Sequence, residues 1–388
     1  MHDAAGIECV MRSTEIAETA GEIRFDRAGA TQGALNILSN CAHVAAGDRV
    51  LIVGESGGRA FFDPQLCNIV AEAATSIGAH AEIVIVPETT GPEAFPASLS
   101  EAMRQADHTI FFARIGDQAR FMDLPGTGTK TMCYTHDASY LDNDFSRVHY
   151  GLFLDVLDRL MDHIKAARHF RIVCPAGSEL EGELTPDARA TGGSGPVVAE
   201  FSVNLFPVMI FPPVSCAAMS GRLWLGRWLT NTSTTVYDDS IVMMDAPVFA
   251  QVHNGMITRF EGDADETGKI ERHFKRFEDQ IGDQAYAVNS WHTGIYPKTF
   301  YRGDPLANVE KWADLVYGSP RFTHFHVCGH DPGEIAVSLY DATVSFDDGP
   351  YWTAGQFSFL DRPEIQRLLD RYPCSSNGFE MCWNIGVP

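Results

Sequence analysis

The segment Phe322–Asp331, FTHFHVCGHD, gathers side chains that bind metals and move protons. Three of the chain's fourteen histidines, His324, His326 and His330, fall within seven residues, with Cys328 among them. Alternate residues of a β-strand share a face. An extended segment therefore puts Phe322, His324, His326, Cys328 and His330 on one side, and Thr323, Phe325 and Val327 on the other. In the DPGE that follows, Pro332 and Gly333 occupy the centre of a type II turn, which brings Glu334 back beside His330. The upstream stretch AYAVNSWHTG reads as a second strand, with His292 on the face of Val288 and Ser290.

Imidazoles, a thiol and carboxylates on one face are costly to bury without partners. A divalent cation satisfies several at once. Two histidines and a carboxylate suit non-haem Fe(II), and three histidines with a water suit Zn(II) equally well. On a solvent-facing edge strand the same histidines are harmless, and any one of them alone fits that reading better. As a cluster they predict a metal site, its ligands drawn from His292, His324, His326, His330 and Glu334. Asp331 and His330 are the candidates for moving protons. Trp291 and Tyr296, although aromatic residues of this kind usually pack in cores, are the candidates for lining a substrate pocket.

Such a face needs elements to hold it. Five buried strands are expected in the first half: DRVLIVG (48–54), HAEIVIVP (80–87), HTIFFA (108–113), KTMCYT (130–135) and HFRIVCP (169–175). Helical periodicity lies between them, over Pro64–Gly78 and Asp155–Arg168. Strands alternating with helices predict an α/β domain over residues 1–176, with a doubly wound, mostly parallel sheet of Rossmann or flavodoxin-like type. The Gly-, Ser- and Thr-rich stretch 177–196 marks a boundary. Beyond it short strands dominate, Asn254-Gly255 signals a hairpin, and one helix is expected over Asp265–Gln280. Residues 177–388 are thus expected to form a β-rich α+β domain carrying the metal.

Composition narrows the partners. The chain has 388 residues, 45% of them hydrophobic and 21% charged, which is the profile of a globular protein with room for more than one core. A net charge of -22 repels phosphate backbones and anionic membranes, so neither nucleic acid nor lipid is an expected partner. No apolar run is long enough to cross a bilayer. Nine scattered cysteines with no CxxC pair, behind an N-terminus without a signal-peptide pattern, predict free thiols in the cytoplasm. The formal G-x-S-x-G match at Gly54–Gly58 lacks the immediate strand-to-helix turn of a nucleophile elbow, and reads as an ordinary loop.

Several segments resemble the aminopeptidase T-like metalloprotease superfamily, and within it the 2,5-dihydroxypyridine 5,6-dioxygenases. They are GDRVLIVG, CPAGSELEGEL, NGMITRFEGDADETGKIERHFKRFEDQIGD, SWHTGIYP and DATVSFDDG. The resemblance implies an α/β domain followed by a β-rich metal domain, and a homo-oligomer. It also implies an Fe(II) site that opens a small aromatic or N-heterocyclic ring with O2. His292 matches the first ligand of that family. The expected His-x-Asp pair has no ungapped counterpart, since Glu334 or Ile335 stands where its histidine belongs, whereas a gapped alignment lays His324 and His326 over it. The region NLFPVMIFPPVSCAAMSGRLWL lacks the carboxylates that a two-metal peptidase needs, which favours a mononuclear site. A Zn(II) hydrolase on the same scaffold, or a ligand-binding relative without metal, are the alternatives.

Overall fold

The computed structural model describes residues 24–57, 61–89, 95–184, 201–232, 240–329, 335–372 and 375–387. Its first sheet is parallel throughout: β1 (Arg49–Ser56), β2 (His80–Pro87), β3 (His108–Phe112), β4 (Thr129–Cys133) and β7 (Asn204–Phe206), in the order β2-β1-β3-β4-β7. Val50, Leu51, Ile52 and Val53 of β1 are buried, as expected for an inner strand covered on both faces. The helix Gln65–Ser76 covers part of it with Leu66, Ile69, Val70, Ala73 and Ala74, the stripe its periodicity predicts. Strands β2 and β3 lie on opposite sides of β1, so the chain changes direction between β1 and β3. In open α/β sheets ligands gather outside the carboxyl ends of the strands at such a point.

Two antiparallel sheets complete the fold. One contains β8 (Val214–Ser215), β10 (Trp228–Asn231), β11 (Val242–Met243), β14 (Val288–Thr293), β15 (Phe322–Val327) and β16 (Ile335–Tyr340), in the order β11-β10-β16-β15-β14-β8. The other contains β5 (His169–Val173), β6 (Glu179–Glu183), β9 (Met219–Trp224), β12 (Val248–His253), β13 (Met256–Gly262), β17 (Thr343–Phe346) and β18 (Gly349–Trp352), in the order β13-β12-β9-β6-β5-β17-β18. Asn254 and Gly255 make the β12–β13 turn with φ of 46° and 73°, the left-handed pair a two-residue hairpin requires. The predicted charged helix runs over Ala264–Ile281.

The fifth predicted strand changes sheets. HFRIVCP forms β5, but it pairs antiparallel with β6 and β17, and β7 takes the edge of the parallel sheet instead. Its burial alternates, with Phe170 and Ile172 inside and His169 and Arg171 outside. That pattern fits an antiparallel sheet with one wet face better than a fully covered parallel strand. Sheet membership therefore crosses the division at residue 176 in both directions.

Candidate metal centre

Strand β15 is central, not an edge: β14 and β16 pair with it on either side, and all six of its residues are buried. Its two faces meet different partners. Phe325 and the neighbouring Trp291 point toward the seven-stranded sheet, where Trp291 packs on Phe170 and Phe346. Phe322, His324 and His326 face the other way, into a pocket of about 80 Å³. His292 joins them because it is the direct register partner of His324, as Ser290 is of His326. A bulge between Val288 and Ser290 pairs Val288 with Val327, so Val288 leaves the face expected for it.

The three imidazoles are 2%, 8% and 8% exposed, and each offers a nitrogen within 4.8 Å of the other two. His292 Nδ1 donates to the Phe211 carbonyl at 2.9 Å, which leaves its Nε2 bare. That atom lies 2.6 Å from His324 Nε2. If His324 is protonated at Nε2, its Nδ1 is bare, buried and without a hydrogen-bond partner among the described residues. If it is protonated at Nδ1, two lone pairs face each other. A cation accepting both Nε2 lone pairs would relieve the second arrangement. His326 Nδ1 lies 3.2 Å from the Ser290 hydroxyl, a second polar group steering a ring.

Burial pulls the His292 pKa down to about 3, against the hydrogen bond to Phe211, with the Arg120 charge lowering it further. Burial likewise holds His324 and His326 well below the ordinary histidine range, and His292 and Arg120 add to the effect. All three are therefore neutral and able to donate lone pairs, as metal ligation demands. The donor set fits one divalent cation bound by three imidazoles.

The other candidates separate. His330, Asp331 and Glu334, with the turn between them, lie outside the described residues. Cys328 is not on the histidine face as strand alternation would have it, because its φ of 71° ends the alternation and its N–H donates to the Ala287 carbonyl. Trp291 is fully buried between the two antiparallel sheets. Tyr296 is buried with its hydroxyl donating to the Phe145 carbonyl at 2.8 Å. Neither lines the pocket; the aromatic residues that do are Phe61, Tyr317 and Phe322.

Thr230 and Asn231 of β10 and Ala336 and Ser338 of β16 add to the wall, and its charged part comes from the segment after β3 and from the helix Val309–Val316. Arg114 and Arg120 follow β3 at the switch point, in the sequence RIGDQAR. Asp117 accepts from the Tyr134 hydroxyl at 2.6 Å and pairs with Arg120 at 3.1 Å. Glu310 and Asp314, one helical turn apart, also line the pocket, and Asp314 Oδ2 lies 3.0 Å from His136 Nε2. Behind Arg114, burial raises the Glu55 pKa, partly offset by the hydrogen bond from the Arg114 N–H. The sequence does carry one hint of this wall, in the charged residues directly after a fully buried parallel strand.

No family model matches the sequence, and no curated protein matches it. Solved structures do share the fold. The 2,5-dihydroxypyridine dioxygenase from Pseudomonas putida KT2440 matches with a TM-score of 0.58 at 14% identity, over 86% of this chain and 97% of that one. AmpT from Thermus thermophilus matches with a TM-score of 0.51 at 11% identity, over 85% of this chain and 99% of that one. The structural likeness falls on the groups of proteins that the sequence resembles, and it establishes the fold.

Proposed function

We propose that this chain is a mononuclear metal enzyme, an Fe(II) dioxygenase that opens the ring of a small aromatic or N-heterocyclic compound such as a dihydroxypyridine. The observation carrying the proposal is the cluster of His292, His324 and His326, three neutral imidazoles converging on one pocket. Bound there, Fe(II) would supply open coordination positions for a substrate oxygen and for O2. The dioxygenase sharing this fold supports the substrate class.

The chain's own residues have separable tasks. The Phe211 carbonyl fixes the His292 tautomer and Ser290 orients His326, so the ligand nitrogens are aimed before metal arrives. Phe61, Ile210, Tyr317 and Phe322 surround the site with apolar surface and limit its water. Asp314, whose Oδ2 is held by His136, is the pocket carboxylate placed to take a proton from a substrate hydroxyl.

A hydrolase reading draws on the likeness to AmpT. Against a two-metal site of that kind stands the donor set, which contains imidazoles and no bridging carboxylate among the described residues. The test is metal analysis of anaerobically purified protein together with O2 uptake in the presence of 2,5-dihydroxypyridine. Stoichiometric iron with O2-coupled ring opening is expected. Protein without stoichiometric metal, or turnover that continues under argon, would overturn the proposal.

A further inference from the structure

The pocket holds polar atoms that the metal proposal leaves unused. Arg114 is 7% exposed, lines the pocket, and its Nη1 has no hydrogen-bond partner among the described residues. Its neighbour Glu310 lies 3.9 Å away, beyond hydrogen-bonding distance. The guanidinium carbon sits 4.3 Å from the Phe61 ring centroid, so one face of the group is stacked while Nη1 lacks a hydrogen-bond acceptor. Asn231, 9% exposed on the same pocket, spends its Nδ2 on the Thr232 carbonyl and leaves Oδ1 unpartnered. A buried guanidinium N–H without an acceptor costs free energy unless something fills it. The group best shaped to fill it is a planar anion, because a carboxylate accepts two parallel N–H bonds.

Charge balance points the same way. Asp117 already offsets Arg120, Glu310 faces Arg114 across 3.9 Å, and Asp314 is turned to His136. Three histidines bring no negative charge to a divalent cation, whereas a two-histidine, one-carboxylate site would bring one. The pocket with its metal therefore tolerates more anionic character in a ligand than such a site does.

Resting on the proposed metal site, we infer that the substrate is a carboxylated ring compound. Its diol end faces the histidines, its carboxylate is held by Arg114, and Asn231 accepts from a ring hydroxyl or ring N–H. Arg114 is then a specificity residue and not part of the metal chemistry.

The test compares two probes that share a chelating diol and differ by a carboxylate. Catechol and 3,4-dihydroxybenzoate are titrated calorimetrically under argon into Fe(II)-loaded wild type, Arg114→Gln and Arg114→Lys. Wild type is expected to bind the carboxylated probe at least ~10-fold more tightly, the worth of one charge-assisted hydrogen bond. Arg114→Gln should erase that preference and leave catechol within about twofold. Arg114→Lys, which keeps the charge should the glutamine variant fold poorly, should retain only part of it. Equal affinities in wild type, or a preference surviving Arg114→Gln, overturns the inference. Repeating the titrations on chelator-stripped protein separates the two readings. Catechol affinity unchanged by stripping sinks the metal proposal, while the carboxylate preference is still judged by the Arg114 variants.

Discussion

His292 and His324 occupy directly opposed positions on β14 and β15, and their Nε2 atoms meet at 2.6 Å. Neutral imidazoles rarely approach so closely without a shared proton or a shared cation. The Phe211 carbonyl takes the His292 proton on the other side of its ring, so the contact depends wholly on what His324 brings or what both rings bind.

Metal loss should follow from removing any one of the three rings. His292→Ala is expected to weaken Fe(II) or Zn(II) binding by about 100-fold or more, since loss of an outer-shell partner alone costs about 10–100-fold. Because metal binds the folded state, adding a chelator should lower the Tm of wild type and leave that of the variant unchanged. Metal content by elemental analysis and paired thermal scans check both statements.

Ser290→Ala tests the positioning of His326 without deleting a ligand. The hydroxyl lies 3.2 Å from His326 Nδ1, and its loss should reduce metal affinity by about 10-fold. Competition with a chromogenic chelator reads this directly. An unchanged affinity would mean that β15 alone fixes the ring.

Trp291 should matter to stability and not to substrate. It is packed among Phe170, Phe211 and Phe346, so Trp291→Ala should cost about 3–5 kcal/mol. The milder Trp291→Phe should leave KM within about twofold. A large KM effect in a well-folded Trp291→Phe protein would return this residue to the pocket wall.

His273, far from the pocket in the helix Ala264–Ile281, predicts part of the pH dependence of stability. Burial, with the charge of Arg276, pulls its pKa from 6.5 down to about 4. Between those values the unfolded chain takes up a proton that the folded chain refuses. Stability from this group is therefore complete above pH 6.5 and is lost as pH falls toward 4, by up to about 3 kcal/mol. Urea unfolding across that window should show a shallower slope in His273→Gln.

The parts of the fold legible in the sequence are those set by local pattern. Strands β1 to β4 announced themselves as short apolar runs, and alternation alone put His324 and His326 on one face. Alternation failed at Cys328, where the backbone turns left-handed, and at Val288, where a bulge intervenes. Partner choice was not legible. HFRIVCP says strand, yet nothing within it says that β6 and β17 will be its neighbours. The charged wall was hidden for the same reason, since Arg114 and Glu310, and likewise His136 and Asp314, meet only after long stretches of chain have folded between them.

The double pairing of β15 has a dynamic consequence. A strand laddered on both sides cannot peel away, so the backbone amides of His324 and His326 should exchange with deuterium only through global unfolding. His324 and His326 are then carried on a strand held from both sides, at a spacing set by the pleat and not by the ion. Such a site selects its cation by size and geometry, because it has little freedom to collapse around a wrong one.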